Sequence, residues 1–80
     1  GLEIVAEFDY SELRGVIRAK FGTNENFAKT LGISQYSLYE RLNNRVSFKQ
    51  DEIMRVKKML RLSSERVDEI FFTEKIRKTK

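Results

Sequence analysis

Apolar residues along this 80-residue chain fall at helical rather than alternating spacing, in short stretches that each open on a capping residue. The clearest lies between Thr23 and Arg45. Thr23 is placed to cap a helix through its hydroxyl, and Phe27, Ala28 and Leu31 then share one face. Gly32 follows the last apolar position and suits a left-handed residue closing that helix. Ser34 caps the next helix, Ile33 stands at staple spacing from Leu38, and Leu38 with Leu42 carries the inward face onward. The pattern predicts two short helices joined by a sharp turn.

The flanking stretches read in the same way. Asp9 caps a first helix, Glu12 completes a capping box, and Phe8 staples onto Leu13. Val16, Ile17 and Phe21 continue that helix to Gly22, with Gly15 weakening it by about 1 kcal/mol relative to alanine. Residues 43–49 form a loop in which Phe48 is a core anchor. Another helix starts near Lys49 or Gln50, its cap open between Ser47 and Lys49, and buries Ile53, Val56 and Leu60. Leu62 and Ser63 repeat the staple and cap before a last helix that turns Val67, Ile70 and Phe71 inward. The expectation is all-α: a compact bundle of about five short helices in one domain spanning 1–80. Residues 1–7 are an arm or short strand, and 73–80 a basic tail. One alternative pairs Ile4 and Val5 with 73–76 as a two-stranded ribbon. Because the chain begins with Gly1 rather than methionine, residues 1–7 also read as partly non-native.

Composition narrows the chemistry. The chain has no cysteine and no histidine, which removes disulfides, thiolate and imidazole catalysis, and every Cys/His zinc site. The carboxylate pairs Asp51–Glu52 and Asp68–Glu69 fall near predicted helix starts, where the dipole favours negative charge. No enzyme activity, metal or cofactor is expected. No apolar run approaches the ~20 residues needed to cross a bilayer, and Glu3 and Glu7 interrupt any signal-like start. Sixteen basic against twelve acidic residues leave a net charge of +4, which favours an anionic partner without naming one.

The second helix of the central stretch, residues 34–43, turns Gln35, Tyr36, Ser37, Tyr39, Glu40 and Arg41 outward. Such donors and acceptors on a rigid helix suit the reading of base edges in a major groove. The pattern Phe27-Ala28, Leu31-Gly32-Ile33-Ser34, Leu38 and Leu42-Asn43-Asn44-Arg45 resembles the helix-turn-helix of Cro/cI-type phage regulators. It is more closely similar to a group of small phage regulatory proteins, over about Phe8 to Phe72. The resemblance implies a lambda repressor-like fold in which Ala28 lets the two helices approach. Two departures stand out. Where many members carry an apolar residue three positions after Leu38, this chain has Arg41, and the apolar residue comes one place later, at Leu42. A slight rotation of the recognition helix is expected to follow. The usual glycine after the asparagine is Asn44, the next best residue for positive φ.

The resemblance implies a sequence-specific regulator of double-stranded DNA, repressor or Cro-like, in a bacterial or phage-infected cytoplasm at the nucleoid. Gln35, Tyr36, Ser37, Tyr39 and Glu40 would meet bases, with Glu40 free instead to hold Arg41 or a neighbouring tyrosine. Thr23, Asn24, Ser34, Arg41, Asn43, Asn44, Arg45 and Lys49 would contact phosphates. A homodimer on a two-fold operator is expected, with Ile70, Phe71, Phe72 and Ile76 as its interface. The alternative is a protein-binding adaptor or antitoxin-like partner on the same helical fold, with Tyr36, Tyr39, Phe71 and Phe72 as anchors.

Overall fold

The computed structural model describes residues 7–75. Among them the chain forms five α-helices: α1 Ser11–Val16, α2 Asn24–Leu31, α3 Gln35–Leu42, α4 Gln50–Leu60 and α5 Ser64–Phe71. It is a small all-α bundle. α1 does not stop at Val16 but widens into a π-turn over Ile17–Phe21, where the Gly22 N–H reaches the Ile17 carbonyl at 2.9 Å. Gly22, at φ +83°, then turns the chain into the Thr23 cap. No described helix is long and apolar enough to cross a membrane.

Three of the caps form as the side-chain pattern predicts. Thr23, Ser34 and Ser63 each accept a backbone N–H three residues on, from Asn26, Ser37 and Arg66, at 3.0–3.1 Å. The cap of α4 is Lys49, and Glu52 reaches back to accept the Lys49 N–H at 3.0 Å. At α1 the expected capping box is replaced. Asp9 accepts from the Ser11 N–H and hydroxyl, while Glu12 turns away to pair with Arg66 of α5 at 2.9 Å. Those two bonds hold the Asp9 carboxyl below its ordinary pKa.

Leu13, Ile17, Phe27, Ala28, Leu31, Leu38, Leu42, Val56, Val67, Ile70 and Phe71 make the core. Ile70 and Phe71, expected at a dimer interface, are therefore buried within the monomer, at 0% and 2% exposure. Ile76 lies outside the described residues. A run of ring contacts closes the domain: Phe72 on Phe8, Phe8 on Tyr10, Tyr10 on Phe48 and Phe48 on Phe71, with centroids 5.3–6.2 Å apart. Burial pushes the Tyr10 phenol up from its usual pKa. Beside these rings Phe8 pairs antiparallel with Glu74, through Asp9 N–H to Thr73 carbonyl and Lys75 N–H to Glu7 carbonyl. Among the described residues the terminal pairing falls on 7–9; Ile4 and Val5, expected to pair with 73–76, lie outside them.

Two helix ends use left-handed residues of opposite suitability. Gly32 closes α2 at φ +73°, and Arg61 closes α4 at φ +54°. A Cβ on Gly32 would meet Arg55 Nη1 at an ordinary 3.7 Å, so the penalty there is conformational. Gly32→Ala should cost about 1 kcal/mol and Arg61→Gly should gain roughly 0.5–1 kcal/mol, both read by urea unfolding. Equal effects of the two changes would contradict this reading of the helix ends.

Candidate functional site

The turn between α2 and α3 is fixed by backbone bonds before any side chain acts. The Ile33 N–H reaches the Ala28 carbonyl at 3.0 Å and the Gly32 N–H reaches Lys29 at 3.1 Å, closing α2. Ser34 then starts α3 while Leu38 and Leu42 anchor it inward. Gln35 and Tyr36 are left exposed in the first turn, Tyr36 by 70%.

Along the outward side four residues form a connected cluster. The Tyr36 hydroxyl donates to Glu40 Oε1 at 3.1 Å, and Arg45 Nη1 donates to Glu40 Oε2 at 3.0 Å. The Arg45 guanidinium also lies over the Tyr39 ring, 5.7 Å from its centroid, and the two tyrosine rings are 6.5 Å apart. The bond to Glu40 raises the Tyr36 phenol above its ordinary 10.0 and raises Arg45 in turn. At neutral pH Tyr36 is therefore a neutral donor, and Arg45 is paired with Glu40. Val46 extends this surface with an exposed apolar side chain.

Arg41 is the main correction. Expected outward as a phosphate contact, it is 6% exposed and enters the domain beside Leu38 and Leu42. There its Nε donates to Glu52 Oε1 at 2.9 Å and its Nη2 to Oε2 at 3.0 Å, a bidentate pair with a carboxylate that is itself 5% exposed. Nη1 donates to the Ser37 carbonyl at 3.1 Å. No buried side-chain nitrogen or oxygen among the described residues is left unpartnered. The inward stripe of α3 is thus widened by a charged residue whose partner is the third residue of α4. Sequence reading placed Glu52 only as a carboxylate at a helix start and gave it no partner. The available signal was Arg41 at i+3 from Leu38, the inward position, together with a carboxylate in the first turn of the next helix.

The other expected contact residues divide by their present partners. Thr23 and Ser34 act as caps, and Ser37 lies partly covered beside Ser34. The Asn43 amide donates to the Tyr39 carbonyl at 2.8 Å. Asn44, at the expected positive φ of 62°, bonds both the N–H and the carbonyl of Phe8, at 2.8 and 3.0 Å. It is a tether for the N-terminal segment. Gln35, Asn24 and Lys49 offer exposed side chains.

A family model described as "Protein of unknown function (DUF739)" matches residues 6–74. The chain belongs to that family. Every residue of the α3 surface and of the Arg41–Glu52 pair in this DUF739 chain lies within the matched span. Among solved structures it is similar to the solution structure of the modulator of repression (MOR) of the temperate bacteriophage TP901-1 from Lactococcus lactis. The identity is 38%, the match covers 81% of this chain and 88% of that one, and the TM-score is 0.67. No curated protein matches the chain.

The buried pair sets a test of the site's architecture. Glu52→Ala leaves the buried Arg41 without its carboxylate and should cost roughly 3–5 kcal/mol in urea unfolding. The double variant Arg41→Met with Glu52→Leu should recover most of that loss, because an apolar pair needs no desolvation of charge. A Glu52→Ala variant as stable as the parent would refute the burial of this pair.

Proposed function

We propose that this chain is a phage-type regulatory protein that works by holding another protein, docking it on the outward face of α3. The partner we propose is a repressor from the same genome, since the similar solved protein is described as a modulator of repression of a temperate phage. The mode of action is binding rather than catalysis. The observation that carries this reading is the Tyr36–Glu40–Arg45–Tyr39 cluster.

Affinity for DNA comes largely from protein cations that neutralise phosphates and release the condensed counterions. Both arginines expected to meet phosphates here are already engaged. Arg41 is buried against Glu52, and Arg45 is held by Glu40. Moving Arg45 to a phosphate would leave the Glu40 carboxylate facing the DNA backbone. Two tyrosines and a stacked arginine instead match the composition of protein interface centres.

Operator binding remains the second reading, favoured by Gln35, which is exposed in the first turn of α3 where a base edge would be met. Arg14, Arg18 and Lys20 on the first helix and its π-turn are also exposed. The two readings separate by salt and by substitution. On the protein-docking reading, Tyr36→Ala and Tyr39→Ala each weaken repressor binding about tenfold or more, with helicity unchanged. That binding persists between about 50 and 200 mM salt, where DNA complexes lose orders of magnitude. Duplex selection returning one sequence, bound with a steep salt slope and lost by roughly 1–3 kcal/mol in Gln35→Ala, would replace this reading with the operator one.

A further inference from the structure

Away from α3 and its loop, the large apolar side chains left exposed among the described residues are Met54, Met59 and Phe72. The two methionines stand on α4, 46% and 52% exposed. Asp51, Met54, Arg55, Lys58 and Met59 line one shallow face of that helix. Met54 also borders a groove of about 320 Å³ between α4 and α5, where Ile53, Val67 and Phe72 continue the apolar surface. Arg55 is turned back, donating to the Thr30 carbonyl at 3.2 Å.

The charges on this face are ordered. Asp51 stands toward the N-terminal end and Lys58 toward the C-terminal end, with Met54 between them. Seven residues is nearly two turns, so the three share one side of the helix over about 10.5 Å. Asp51 and Lys58 are both exposed and take no part in any ion pair of the described chain. A strip with an acid at one end, a cation at the other and an apolar middle is its own complement when run antiparallel. Run parallel, it would set like charge against like.

We propose that the outer face of α4 is the seam of a homodimer. α4 of one copy packs antiparallel on α4 of a second, about a two-fold axis close to Met54. Asp51 then faces the partner's Lys58, Lys58 faces the partner's Asp51, and the two Met54 side chains pack together. An isologous contact requires this reciprocity. A purely anionic partner such as nucleic acid would meet the Asp51 carboxylate, and the methionines would gain nothing from phosphates. The seam lies on α4 and does not rest on the α3 reading.

A single-helix seam is small and therefore weak. Sedimentation equilibrium of the full chain should show the average mass rising toward twice the monomer value between about 10 µM and 1 mM. Asp51→Lys and Lys58→Asp, each alone, set two like-charge contacts across the axis and should raise the dimer dissociation constant at least about tenfold. Mixed one to one, the two variants pair Lys with Asp at both ends and should associate again at parental strength. Both positions are exposed, so circular dichroism should show unchanged helicity. A parent chain that stays monomeric throughout, or a mixture no stronger than either variant alone, overturns the proposal. Loss of repressor binding in Lys58→Asp without any self-association would assign this face to a different protein and overturn it equally.

Discussion

The bidentate pair between Arg41 and Glu52 is the interaction on which the working surface depends. It joins the last turn of α3 to the first turn of α4, and each partner is further held by the backbone. Arg41 donates to the Ser37 carbonyl and Glu52 accepts the Lys49 N–H. Two desolvated charges are costly unless every donor and acceptor is met, and here they are. The pair fixes the axial rotation of α3, and so decides which side chains of that helix reach solvent. It also withdraws a cation from the outward face.

What the pair fixes from below, the turn fixes from the side. Gly32 in its left-handed conformation and the small buried Ala28 bring α2 and α3 together, and Ser34 sets where α3 begins. At the far end Asn44 holds Phe8, and the ring contacts through Tyr10 and Phe48 tie both ends of the described chain to the core. α3 is therefore a rigid platform. Its exposed cluster is held together by Glu40, which accepts from a phenol and a guanidinium at once.

Much of the fold was legible in the sequence because capping and helical spacing are local. Thr23, Gly32, Ser34 and Ser63 act where their residue types predict, and Asn44 takes its positive φ. The failures involve long-range partners. Glu12 suits a capping box by spacing, yet Arg66 on α5 draws it away. Arg41 reads as a surface charge because its neutralising carboxylate is eleven residues further on, in another helix. The Ile17–Phe21 π-turn leaves the apolar spacing of the first helix intact, so periodicity gives no sign of it. Ile70 and Phe71 read both as inward residues and as a dimer interface, and the core assembled from distant segments takes them up. The site was legible as a surface but not as a charge state.

That charge state separates a helix that reads DNA from one that holds a protein. The most direct measurement is an amide-resolved NMR titration of the chain, first with a repressor from the same genome and then with a pool of random duplexes, at moderate salt. The account predicts that the repressor shifts the amides of Tyr36, Tyr39, Glu40 and Arg45 as one saturating set. The duplex pool should leave those amides in place. Saturating shifts of Gln35 and Tyr36 with DNA, and none with repressor, would contradict it.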